Sequence, residues 1–126
     1  MRKGDFHMSI VGIGIDIVEL ARMKRLLEKD DRFIKRVFTD WEQARLSQLQ
    51  GKRKIEYAGG RFAAKEAFVK ATGTGISKEY GFQDIEVRAY DSGKPYLIAP
   101  NHHWVVHLSI THSDTYALAQ VILESR

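Results

Sequence analysis

The sequence contains no cysteine, which removes disulfide scaffolds, cysteine-ligated zinc, iron–sulfur clusters and thiol nucleophiles at once. No apolar run approaches the ~18–20 residues of a membrane span, and the first residues lack the apolar segment of a secretory signal. A cytoplasmic protein with no membrane partner is the expectation. No repeat and no linker composition interrupts the chain. At 126 residues there is room for one core, since independent domains need roughly 100 residues each. Residues 1–7 (MRKGDFH) are polar and patternless, so they are expected to form a disordered or artificial leader before a single domain over 8–126. The charge balance of 20 Lys+Arg against 16 Asp+Glu gives +4. That suits a partner bearing phosphate or carboxylate, without choosing among nucleic acid, a nucleotide and an acidic protein.

The hydrophobic pattern changes period along the chain. IVGIGIDIVEL (10–20) is rich in β-branched residues and is expected to form a buried strand. Leu20, Met23, Leu26 and Leu27 then recur at helical spacing, with Arg22, Arg25 and Lys29 off the stripe. Phe33, Ile34, Val37 and Phe38 continue that spacing. Thr39 with Glu42 forms a capping-box pattern, opening a second helix over 40–50 that Gly51 would end. A third is expected over 55–72, stopped by Gly73. The second half alternates with period two over 85–90, 95–99, 106–111 and 116–123, with DSGK (91–94) and HSDT (112–115) as turns. One strand, then three helices, then four strands point to an α+β fold, helices packed on a largely antiparallel sheet.

Asp16 lies inside the apolar run 13–18, where a bare carboxylate would cost several kcal/mol to desolvate. Two readings are open: a strand-end cap for the helix that follows, or a ligand for a hard metal ion, which takes one or two carboxylates plus phosphate oxygens. In GGRFAAKEAFVKATGTG (59–75), Phe62, Glu66 and Lys70 share one helix face at ~100° per residue. Ala63, Ala64, Ala67 and Ala71 make a small-residue face that permits close approach of another element. Glu66 and Lys70 form either an ordinary i,i+4 pair or, on a buried face, an acid and a base that bind metal and phosphate together. GTG (73–75) follows a helix instead of preceding one, so it is no phosphate-cradling loop. GIG (12–14) lacks the third glycine of a dinucleotide fingerprint. Lys52, Arg53, Lys54 and Arg61 are either a solvated patch or an anion site. The histidines at 102, 103, 107 and 112 lack the spacing of a zinc helix.

GIGIDIVEL, FAAKEAFVKATGTGI, SGKPYL and HLSITH, in that order, resemble the bacterial holo-[acyl-carrier-protein] synthase family, the short single-domain 4′-phosphopantetheinyl transferases. The resemblance spans about 10–123, with FAAKEAFVKATGTGI its most specific string; APNHHW (99–104) departs from the family pattern. It implies transfer of the 4′-phosphopantetheine arm of coenzyme A to a serine of apo acyl carrier protein, for fatty acid biosynthesis, with release of adenosine 3′,5′-bisphosphate. It implies Mg²⁺ held by Asp16 and Glu66, with Lys70 near the reacting phosphates, and Glu66 or a metal-bound water as acceptor of the serine proton. For coenzyme A it implies Lys52, Arg53, Arg61, Lys94, Pro95, Thr111 and His112, with Lys65 facing ligand or solvent. For the acidic carrier it implies a basic surface with an apolar centre: Arg22, Met23, Arg25, Arg32, Phe33 and Arg36. It further implies a homotrimer with its sites at subunit interfaces. An RNA-binding module is the competing class for a basic α+β chain, but no aromatic strand motif of that kind is present, so no nucleic-acid partner is expected.

Overall fold

The small-residue stretch becomes the central element of the molecule, helix α4 (Gly51–Thr72). The computed structural model describes residues 9–126, and the leader expected at 1–7 lies outside the described residues. Before α4 come β1 (Ile10–Glu19), α1 (Leu20–Lys29), α2 (Arg32–Val37) and α3 (Asp40–Ser47). After it come a 3-10 turn (Phe82–Asp84), β2 (Glu86–Ala89), β3 (Pro95–Ile98), β4 (Val105–His112) and β5 (Tyr116–Glu124). Every strand pairing is antiparallel, as an α+β fold with helices on an antiparallel sheet requires. The strands divide into two sheets, β1–β5–β4 and the separate hairpin β2–β3.

Close approach of β1 to α4 decides how the sheet sits. A Cβ built on Gly14 would lie 1.9 Å from the carbonyl oxygen of Ala67, and one on Gly12 2.1 Å from that of Ala71. No side chain fits there, so the two glycines let backbone pack on backbone. The partners on α4 are small too: Ala67 and Ala71 are both buried. The GIG string is therefore a packing device, and it places Asp16, two residues on, beside the helix.

Expected to form a buried strand, β1 is buried on one face only. Ile13, Ile15 and Ile17 are 60%, 53% and 58% exposed. Their register partners Ile122, Gln120 and Leu118 on β5, and His107, Ser109 and Thr111 on β4, continue the same open face. A continuous apolar run does not distinguish one covered face from two; glycine at alternate positions marks the covered one.

The helical boundaries also move. Asp30, in extended backbone, ends α1, and its carboxylate accepts the Arg32 backbone N–H at 2.9 Å, so the apolar spacing continues into a separate α2. The capping box forms as expected: Thr39 Oγ1 accepts the Glu42 N–H and Glu42 Oε1 accepts the Thr39 N–H. Gly51 does not end α3, which stops at Ser47; it opens α4, four residues before the expected start. Gly73 closes α4 with φ of 80°, its N–H donating to the carbonyls of Val69 and Lys70.

One buried ion pair ties these pieces together. Lys65 Nζ donates to Glu42 Oε1 at 2.7 Å, to the Val37 carbonyl at 2.7 Å and to the Phe82 carbonyl at 3.0 Å. Glu42 Oε2 accepts the Val87 N–H of β2 at 2.7 Å. Both side chains are wholly buried. Burial pulls the Lys65 ammonium down and the Glu42 charge opposes it. The expectation that Lys65 faces ligand or solvent is corrected: all three ammonium donors are spent inside the fold.

Candidate active site

Asp16 and the second half of α4 meet at one edge of the sheet. Asp16 stands on the α4-facing side of β1, and Oδ1 accepts from Lys70 Nζ at 2.9 Å, which also donates to the Ile15 carbonyl at 3.2 Å. Glu66 lies one turn before Lys70 on the same helix face. Burial, then the negative charge of Asp16, raise the Glu66 carboxyl above its usual range, while Lys70 opposes the shift. Asp16 and Glu66 line a cleft of about 520 Å³ with Arg22, Phe62 and Tyr116. The polymer separates the two acids by fifty residues, and the glycine contact of β1 with α4 brings them together. No group of three or more His, Cys, Asp or Glu side chains is gathered among the described residues. Two oxygen-donor carboxylates with room for phosphate and water oxygens suit a hard divalent cation such as Mg²⁺. The strand-end-cap reading of Asp16 falls away, because its carboxylate bonds Lys70 and the α1 start has no side-chain cap.

A second cleft of about 320 Å³ opens on the other flank of α4, lined by Arg45, Arg53, Arg61 and His112 with Trp41, Tyr57 and Gly93 among others. Arg53, Tyr57 and Arg61 recur every four residues and so share one face of the helix. Glu56 is the one carboxylate in the lining, 3.5 Å from His112 Nδ1. The Arg61 guanidinium lies 4.1 Å from the Tyr57 ring centroid. The buried atoms Tyr57 Oη and Arg61 Nε have no partner. Burial raises Tyr57, so the phenol stays a neutral donor; burial lowers Arg61, against which its intrinsically strong basicity keeps the guanidinium charged.

The structure thus sorts the coenzyme A residues. Arg53, Arg61 and His112 come together, and Gly93 of the hairpin turn brings Lys94 and Pro95 to the rim in sequence, with Lys94 exposed. Lys52 is elsewhere, paired with Asp114 at 2.8 Å in a different cleft. Thr111 is on the open sheet face, one residue out of register with His112, because successive strand residues point to opposite sides.

The docking residues separate similarly. Arg32, Phe33 and Arg36 line a groove of about 310 Å³ with Leu26 and Lys29, Arg22 reaches the carboxylate cleft, and Arg25 is exposed. Phe33 packs edge-on to Phe38 and against Phe62. Met23 is 1% exposed; its expected carrier contact is corrected to a place in the core. Arg45, Tyr57 and Trp41 were not singled out from the sequence. The i,i+4 spacing of Tyr57 with Arg53 and Arg61 was the available signal for one of them.

The family model of the 4′-phosphopantetheinyl transferase superfamily matches residues 12–121. The chain belongs to the 4′-phosphopantetheinyl transferase superfamily. Among similar superfamily members, a holo-[acyl-carrier-protein] synthase of Anoxybacillus flavithermus is 56% identical over 115 residues, 91% of this chain and 96% of that protein. One of Halalkalibacterium halodurans is 55% identical over the same shares. A crystal structure of a holo-(acyl-carrier-protein) synthase from Bacillus anthracis in complex with CoA (3′,5′-ADP) matches with TM-score 0.88 at 53% identity, over 95% of this chain and 100% of that one. A synthase structure from Neisseria meningitidis matches at 0.82 and 35%, over 93% and 100%. Among the described residues, no helix is long and apolar enough to cross a membrane.

Proposed function

We propose that this phosphopantetheinyl transferase moves the 4′-phosphopantetheine arm of coenzyme A to a serine of apo acyl carrier protein, releasing adenosine 3′,5′-bisphosphate and supplying holo carrier for fatty acid synthesis. The observation that carries the reading is the convergence of Asp16 and Glu66 at one cleft that Arg22 of α1 also lines, with Lys70 bonded to Asp16. Asp16 and Glu66 would hold Mg²⁺, which when bound would supply positive charge against the pyrophosphate of the substrate. The carrier serine oxygen attacks the phosphorus next to pantetheine, and the bond from that phosphorus to the bisphosphate oxygen breaks. Glu66, an oxygen base lining the same cleft, accepts the serine proton on a carboxylate oxygen. Lys70, half in solvent, exchanges its Asp16 contact for the leaving phosphate and steadies its negative charge.

The metal-binding cleft and the basic cleft share no lining residue, while coenzyme A carries phosphates for both ends. The chain works as a homotrimer in which Asp16 and Glu66 of one subunit and Arg53, Arg61 and His112 of its neighbour act on one coenzyme A. The open face of Ile13, Ile15 and Ile17 supports this, because an apolar strip of that kind is usually covered by a partner. The carrier, an acidic protein, docks on Arg22, Arg25, Arg32, Phe33 and Arg36. The protein is cytoplasmic.

Incubation with coenzyme A, Mg²⁺ and apo carrier should add the mass of the arm to the carrier; an unmodified carrier with verified metal and carrier would overturn the reading. Co-refolding Glu66→Gln chains with Arg61→Gln chains should restore activity absent from either alone, since some interfaces then combine two intact halves. No recovery in mixed trimers would place both clefts on one chain's substrate.

A further inference from the structure

The aromatic wall of the basic cleft has no part in the chemistry above. Trp41 stands one residue into α3, whose start is fixed by the Thr39–Glu42 box and, through Glu42, by Lys65 and Val87. Its side chain is 37% exposed, yet one flank is filled: the Arg88 guanidinium carbon lies 4.8 Å from the indole centroid. Arg88 is itself held by Glu86 at 2.7 Å. The indole is thus a backed plate in the lining of the cleft. Deeper in the same lining are two buried donors with nothing to donate to, Tyr57 Oη and Arg61 Nε. The cleft therefore presents anion chemistry from Arg45, Arg53 and Arg61, which Glu56 alone does not balance, and a flat apolar surface. Its volume of about 320 Å³ is at the lower end for small-molecule sites.

An inorganic anion would leave the indole unused, and an apolar ligand would leave the arginines unmet. A planar heterocycle joined to phosphate satisfies both, because any base offers a π-face to an aromatic side chain and phosphate matches the guanidinium fork. We propose that Trp41 stacks on the base of a phosphorylated purine nucleoside in this cleft, while Tyr57 Oη and Arg61 Nε donate to its phosphate. The proposal rests on the cleft being the nucleotide end of the coenzyme A site and adds the side chain that reads the base. A purine covers more of the indole than a pyrimidine, which makes Trp41 a specificity-determining residue. Arg88 acts through Trp41 as a positioning residue.

The chain has two tryptophans, Trp41 and Trp104, so Trp104→Phe protein reports on Trp41 alone. Titration with adenosine 3′,5′-bisphosphate should change its emission saturably, and inorganic pyrophosphate should not. By calorimetry, Trp41→Ala should weaken adenosine 3′,5′-bisphosphate by roughly tenfold or more, the scale of one stacked base, and leave pyrophosphate affinity unchanged. Trp41→Phe should recover most of the loss, and Tyr57→Phe should weaken both ligands. Wild-type nucleotide affinity in Trp41→Ala, or binding that leaves Trp41 emission unmoved, overturns the proposal and leaves the transferase reading intact. Absence of nucleotide binding to the unsubstituted protein overturns both.

Discussion

Two lysines of α4, five positions apart, each hold a carboxylate from another element, and they do opposite things. Lys65 and Glu42 are both fully buried, with all three ammonium donors and both carboxylate oxygens engaged. Lys70 and Asp16 are 52% and 16% exposed, and Asp16 lines a cleft. In the first pair no acceptor is free to change partner, so the charges fix α3, α4 and β2 relative to one another. In the second the lysine can leave, which chemistry on a charged substrate requires. Residue type and pairing are the same; what differs is whether the surrounding backbone completes the hydrogen bonds or leaves them to a ligand.

The largest effect should come from breaking the sealed pair. Lys65→Met strands the Glu42 charge in the core and should cost about 3–5 kcal/mol of unfolding free energy, read by denaturant titration; a loss as small as that of an exposed pair would erase the contrast. Next, Asp16→Asn and Glu66→Gln should lower turnover by roughly 10²–10³-fold, the scale of one lost electrostatic group in an active site, with the fold intact by circular dichroism. Glu66→Gln sharpens the comparison further. The folded chain binds the Glu66 proton more tightly than the unfolded chain, because its carboxyl is raised, so ionised Glu66 opposes folding and stability falls as pH rises through its raised value. In metal-free buffer the Gln variant should melt higher than wild type at neutral pH and lack that component of pH dependence. Arg36→Glu should raise KM for the carrier roughly tenfold with kcat little changed, since it removes docking and not chemistry. Lys52→Ala should leave both the melting temperature and KM for coenzyme A unchanged, because its partner Asp114 is in solvent and its cleft is a different one.

The order of strands and the two carboxylates of the cleft were legible in the sequence for identifiable reasons. Period-two alternation marked β2 to β5, Thr39 with Glu42 marked the start of α3, and Asp16 was conspicuous as a charge in an apolar run. The fate of each lysine was not legible. Lys65 and Lys70 sit in the same string, and only the tertiary positions of Val37, Glu42 and Phe82, contributed by three other segments, decide which one is sealed. Met23 sat on the apolar stripe of α1, the side of the helix that the fold buries; naming it the apolar centre of a carrier surface set that stripe aside. The open face of β1 was hidden because isoleucine reads the same whether a helix or another copy of the chain covers it. Trp41 and Arg45 carried no motif at all.

Where β1 crosses α4, only hydrogen atoms of Gly12 and Gly14 stand between the main chains. The span from Asp16 to Glu66 is therefore ruled by the thickness of peptide backbone, a quantity that mutation elsewhere in the core does not alter. A methyl group at position 14 would act as a shim, prying strand from helix and widening the cleft between Asp16 and Glu66 while both carboxylates remained present.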